Sequence, residues 1–130
     1  PLTPEIHFSP KDNLFLMRGT SAPEDVRALY YPVIEWIRVF TDDLLEGKMT
    51  QFSASSPIKM EADLDYFNSS SAKFLYDIFS EMKRLNDSGI PVLVNWFYDH
   101  EDQDMKEAGA DIAALVGMEF NYVEKPSADQ

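Results

Sequence analysis

Ile58-Lys59-Met60-Glu61-Ala62-Asp63-Leu64-Asp65-Tyr66 alternates without a break, with Ile58, Met60, Ala62, Leu64 and Tyr66 on one side and Lys59, Glu61, Asp63 and Asp65 on the other. Successive side chains of a strand point to opposite faces, so this period of two predicts a strand with one buried face and one wet, acidic face. A strand covered by helices on both sides would need apolar residues at both parities. The acidic row therefore predicts a sheet whose helices pack on a single face.

Downstream of this strand, Asn68 and the serines Ser69, Ser70 and Ser71 supply helix-capping side chains. Leu75, Ile78, Phe79, Met82 and Leu85 then form the stripe of a helix that ends near Ser88-Gly89. Val92 to Tyr98 reads as a central strand. Asp99 to Asp104 reads as an acidic turn opening a third helix, with Met105, Ala108, Ile112 and Leu115 on its buried side and Gly117 at its close. Met118, Phe120 and Tyr122 alternate in a last strand.

Upstream, Glu5 to Phe8 and Asn13 to Arg18 flank Ser9-Pro10-Lys11-Asp12, which predicts an N-terminal hairpin whose second strand ends at Gly19. Ser21-Ala22-Pro23-Glu24 is a helix start signal, followed by Val33, Trp36, Ile37, Phe40, Leu44 and Leu45 at helical spacing. Pro32 inside this stretch predicts an irregular or kinked first turn and a main helix from Pro32 to Glu46, with Gly47 just past its end. The resulting order is β-β-α-β-α-β-α-β. Crossovers through helices make the later strand pairs parallel. The expected fold class is α/β, a two-layer domain with a mixed sheet of about five strands and helices on one face.

The 130 residues, 45% of them hydrophobic, are expected to form a single domain over 1–130, with a polar, flexible tail over 125–130. There is no cysteine, which excludes disulfides, thiolate catalysis and cysteine-ligated zinc. A net charge of -12 repels nucleic acid and anionic lipid, so protein partners are expected and nucleic acid is not. The longest apolar stretch, Ile90 to Tyr98, is interrupted by Asn95 and falls short of the roughly 20 residues that cross a bilayer. No membrane insertion is expected. The stretch from Pro1-Leu2-Thr3 has neither a basic region nor an apolar segment of the export type, which gives a cytoplasmic expectation.

The junction from Leu64 through Asp65, Tyr66, Phe67, Asn68 and the serines to Lys73 carries the strongest local chemistry. The N–H groups at a helix start are unpaired and lie at the positive end of the helix dipole, so a phosphoryl group attached there is stabilised. A phosphate would bring nearly two negative charges beside Asp65 and the acidic strand face. The same residues also suit a plain helix cap, and the residues alone leave both readings open. His100 beside Ser69 could form a nucleophile and base pair, but nothing else in the sequence supports it. Asp99-His100-Glu101-Asp102-Gln103-Asp104 offers oxygen ligands without a calcium-loop glycine or a second histidine, so no metal is expected. Walker loops, dinucleotide fingerprints and hydrolase elbows are absent, and neither an enzyme nor a cofactor is expected.

Tyr31-Pro32-Val33-Ile34-Glu35-Trp36, the junction Leu64 to Lys73, and Val94-Asn95-Trp96-Phe97-Tyr98-Asp99 resemble the SiaC family of bacterial regulatory phosphoproteins. That family is similar to the STAS domains of anti-sigma factor antagonists. The resemblance implies a STAS-like fold and a partner-switching pathway in signal transduction and biofilm regulation. In it a dedicated protein kinase phosphorylates the module and a PP2C-type phosphatase reverses this. The unphosphorylated form binds and activates an effector, a diguanylate cyclase that makes cyclic-di-GMP. Carried onto this chain, the phosphoacceptor hydroxyl falls on Ser69, with Ser70 and Ser71 as the alternative acceptors. Asn68 would shape the loop, and Asp65, Ser70 and Lys73 would flank the phosphate or contact partners. The rival reading is a constitutive interaction scaffold whose serines only cap.

Overall fold

The computed structural model describes residues 1–126. The strands are β1 (Glu5–Ser9), β2 (Leu14–Ser21), β3 (Ile58–Phe67), β4 (Val92–Asp99) and β5 (Asn121–Lys125), and the helices are α1 (Val26–Leu45), α2 (Ser69–Asp87) and α3 (Gln103–Val116). One mixed sheet holds the strands in the spatial order β1-β2-β3-β4-β5, the same as their order along the chain. The β1–β2 hairpin is antiparallel, and every later pair is parallel. Right-handed crossovers between sequential parallel neighbours put every connecting helix on the same side. The order anticipated from the hydrophobic periods, and the placing of helices on one face, are both found.

The core lies between that sheet face and the helices. Phe15 and Met17 of β2, Ile58, Met60, Ala62 and Leu64 of β3, and Val94, Trp96 and Tyr98 of β4 meet Ile34, Ile37, Phe40 and Leu44 of α1 and Leu75, Ile78, Phe79, Met82 and Leu85 of α2. Trp96, with no exposed surface, donates its indole N–H to the Met105 carbonyl at 2.9 Å. A Cβ built on Gly109 would lie 2.5 Å from the Trp96 ring, so this glycine is what lets α3 come so close to β4. At the opposite end, Asn13 takes a left-handed conformation (φ 50) in the hairpin turn and binds the Pro57 carbonyl and the Lys59 N–H, which ties the turn to the start of β3.

Several expectations need correction. α1 starts at Val26, and Asp25, not Ser21, is its cap, accepting from the Ala28 N–H at 3.1 Å. Pro32 lies within the helix with its ring outward, while Tyr30 and Ile34 on either side are buried. Burying those side chains holds the first turns in place against the hydrogen bond that the proline cannot donate. β2 does not stop at Gly19 but continues to Ser21 past an irregularity in which Gly19 pairs with Leu64 and Thr20 with Tyr66. Asp65 is the extra residue of that bulge, and a bulge inverts the alternation beyond it. Tyr66 is therefore 54% exposed, whereas Phe67 turns in to meet Trp96 edge-on. On α3 the buried row is Met105, Gly109, Ile112, Ala113 and Val116, and Leu115 is 73% exposed. The last strand begins at Asn121, later than the Met118 alternation implied, and Lys125 belongs to it, bound to Asp63 at 2.5 Å. Residues 127–130 of the expected flexible tail lie outside the described residues.

Candidate switch site at the start of the second helix

The parallel strands all end at one edge of the sheet, and each helix begins there. At the β3–α2 junction Asn68 leaves the strand with extended backbone (φ -84, ψ 172) and acts as N-cap. Its N–H donates to the Ser21 carbonyl at 3.0 Å. Its side-chain oxygen accepts from the Ser71 N–H at 2.9 Å and from the Ser70 hydroxyl at 3.1 Å. The Ala72 N–H closes the first helical bond on the Asn68 carbonyl. The N–H groups of Ser69 and Ser70 stay without helical partners, as first-turn donors must.

The serines have three different surroundings. Ser71 has no exposed surface, because the third residue of the helix turns toward the core. Its hydroxyl donates to the Ser21 carbonyl at 3.0 Å and accepts from the Ser21 hydroxyl at 2.8 Å. Ser21 Oγ lies 2.6 Å from the Tyr30 hydroxyl; since its one proton goes to Ser71, Tyr30 is the donor of that bond. A directed chain Tyr30→Ser21→Ser71→Ser21 carbonyl thus joins α1, β2 and α2 through buried hydroxyls. Burial holds the Tyr30 phenol above its ordinary pKa of 10.0, and the neighbouring Ser21 and Ser71 hydroxyls offset only part of that. Tyr30 also stacks on Phe74 of α2, ring centres 5.3 Å apart. Ser70 is exposed but leans back on Asn68. Ser69, in the first helical position, is exposed and its hydroxyl makes no hydrogen bond among the described residues. An acceptor at Ser71 would require the first turn to open.

Of the flanking residues, Asn68 is at the centre of the junction. Asp65 is exposed at the β3 bulge. Lys73, one turn beyond Ser69, is held by Asp77 at 3.0 Å and lies over the Phe74 ring, its ammonium 4.7 Å from the centre. His100 is not joined to Ser69; its Nδ1 lies 3.1 Å from Glu124. In the acidic turn the Asp99 carboxylate takes the Glu101 N–H and Asp102 caps α3 through the Met105 N–H. Among the described residues no three side chains of metal-ligand type converge, and no helix is long and apolar enough to cross a membrane. Sequence reasoning missed Ser21 and Tyr30. The only signal for them was that a tyrosine one turn into an apolar helical stripe needs a partner for its hydroxyl.

The chain is similar to known proteins over nearly its whole length. The family described as SiaC family regulatory phosphoprotein matches residues 1–125. An uncharacterized protein of Pseudomonas aeruginosa is 29% identical over 105 residues, covering 81% of this chain and 75% of that one. Two Pseudomonas aeruginosa crystal structures share the fold at 25% identity. One is diguanylate cyclase SiaD in complex with its activator SiaC, with TM-score 0.79 over 95% of this chain and 93% of the other. The second is apo-SiaC, with TM-score 0.74 over 95% and 90%.

Proposed function

The chain belongs to the SiaC family of regulatory phosphoproteins, and from that premise we propose that it is a phosphorylation-switched activator of a diguanylate cyclase, with Ser69 as the residue modified. The unmodified form binds and activates the cyclase, a kinase phosphorylates Ser69, and a PP2C-type phosphatase restores it. The protein works by binding and not by catalysis, as one cytoplasmic domain. The observation that carries this reading is the free, exposed Ser69 hydroxyl at the first position of a helix whose first turn holds no acidic side chain. Two features support the chemistry. A phosphate there meets unpaired N–H groups and the positive end of the α2 dipole. It also places nearly two negative charges within a few residues of exposed Asp65, changing the local field a partner meets. The SiaC relative solved with SiaD supports the choice of effector.

The test is co-purification of the diguanylate cyclase with wild-type chain, Ser69→Ala and Ser69→Asp, together with mass spectrometry of the chain from its native cells. Wild type and Ser69→Ala should retain the cyclase, Ser69→Asp should lose it at least tenfold, and phosphate should map to Ser69. Equal retention by all three, with no phosphate on the serines, would identify a constitutive scaffold.

A further inference from the structure

Two ion pairs of the same kind lie along α2. Lys73 meets Asp77 at 3.0 Å and Lys83 meets Asp87 at 3.0 Å, each carboxylate one turn beyond its lysine. In both, the cation precedes the acid. That order runs against the helix dipole and is the weaker of the two for residues four apart. The pairs differ in what stands one turn before the lysine. Before Lys83 it is Phe79, which has no exposed surface; before Lys73 it is Ser69, whose hydroxyl is exposed.

The surroundings of Lys73 leave it free to choose. Its side chain is 69% exposed, so its ammonium can turn toward either end of the helix without leaving water. Asp77 is less open, at 24%, and lines the cleft between α1 and α2 together with Glu35, Arg38 and Asp42. Asp42 is held by Arg84, which also meets Glu81. Lys73 is the one cation in ion-pair contact with Asp77 among the described residues.

We infer that a phosphate on Ser69 draws Lys73 off Asp77, so that the ion pair moves one turn toward the start of α2 and Asp77 is left as a free carboxylate in the cleft. This deepens the reading of Ser69 as the switch and rests on it. Three effects favour the exchange. The phosphate carries nearly two negative charges against the one of Asp77. Its oxygens accept stronger, charge-assisted hydrogen bonds from an ammonium. An acid at Ser69 also precedes the lysine, which is the order the helix dipole prefers. The pair given up is a surface one of small worth. Asp77 lies eight residues on, about 12 Å along α2 and about 80° round it. Modification of a solvent-facing hydroxyl thereby changes the charge on another side of the helix without any change of fold.

The experiment uses the full chain with phosphoserine installed in place of Ser69, beside the unmodified chain, both shown by circular dichroism to be folded. Urea unfolding of Lys73→Gln, Asp77→Asn and the double variant gives the coupling of the pair in each form. Without phosphate it should be about twofold in the unfolding equilibrium constant. With phosphate it should vanish, and Lys73→Gln alone should then lower that constant by about threefold or more. Lys83→Gln and Asp87→Asn form the control, and their coupling should be the same in both forms. Nitrogen–phosphorus NMR should show the Lys73 ammonium coupled to the phosphate across their hydrogen bond. Persistence of the Lys73–Asp77 coupling in the phosphorylated chain, or equal weakening of both lysine pairs, would overturn the inference. Phosphate absent from Ser69 in native cells would remove the reading of Ser69, and with it the regulatory use of the exchange, whatever the installed phosphate does to Lys73.

Discussion

The starts of α2 and α3 are built to one plan and charged differently. Each follows a parallel strand, and each is capped by a side-chain oxygen, of Asn68 or Asp102, that accepts the N–H three residues on. Around α3 the cap is a carboxylate, Asp104 occupies the first turn, and Asp99 and Glu101 precede it. Around α2 the cap is a neutral amide and the first turn is Ser69, Ser70 and Ser71, with no acidic residue. The α3 terminus carries its counter-charge permanently. The α2 terminus leaves that place open, which is what a site of reversible negative charge requires. Two helix starts with the same hydrogen bonds can thus differ in whether there is anything left for a modification to do.

The largest expected effect comes from breaking the burial within α2. Ser71→Asp puts a carboxylate where no surface is exposed, among hydroxyls already committed to one another, and should destabilise the fold by about 3–5 kcal/mol. Ser69→Asp, two residues away, should stay within about 1 kcal/mol of wild type. Urea denaturation reads both, and equal midpoints for the two would overturn the assignment of Ser71 to the interior. A smaller loss, about 1 kcal/mol, is expected for Asn68→Ala, which removes the acceptor of the Ser71 N–H; the same measurement on Asp102→Ala should give a loss of like size, since the two caps make the same bond. The finest difference compares equivalent first positions. At low ionic strength Ser69→Asp should stabilise by about 0.3–1 kcal/mol, whereas Gln103→Asp should gain less because Asp102 and Asp104 are already beside it. High salt should erase the gap, and equal gains would show that the α3 terminus is not already satisfied.

Much of this was legible in the sequence. The alternation from Ile58 to Leu64 placed the helices on one face, the apolar stripe from Leu75 to Leu85 gave α2, and Asn68 was readable as a cap. These are short-range periods and local hydrogen bonds, which a sequence carries directly. What was hidden depends on distant partners. The bulge at Asp65 is defined only by the pairing of β3 with β2, so the exposure of Tyr66 could not be read from β3 alone. Gly109 faces inward where Trp96, from another element, leaves no room for a larger side chain, and Leu115 is exposed on another side of α3. Ser21 and Ser71 are 50 residues apart, and nothing local marks either as half of a pair. Lys73, expected to flank the phosphate, pairs with Asp77 one turn on.

The buried hydroxyl chain has a consequence for the triplet of serines. In the sequence they are interchangeable letters. Once Ser71 is pinned inward, the helix advances about 100° per residue and its rotational phase is set. Ser70 then lines a small cleft against Arg27 and Tyr31 of α1 and Ser69 faces the solvent, so each hydroxyl acquires its own bearing. Tyr30 and Ser21 work as an indexing pin, converting a degenerate run into three addresses that differ in direction alone.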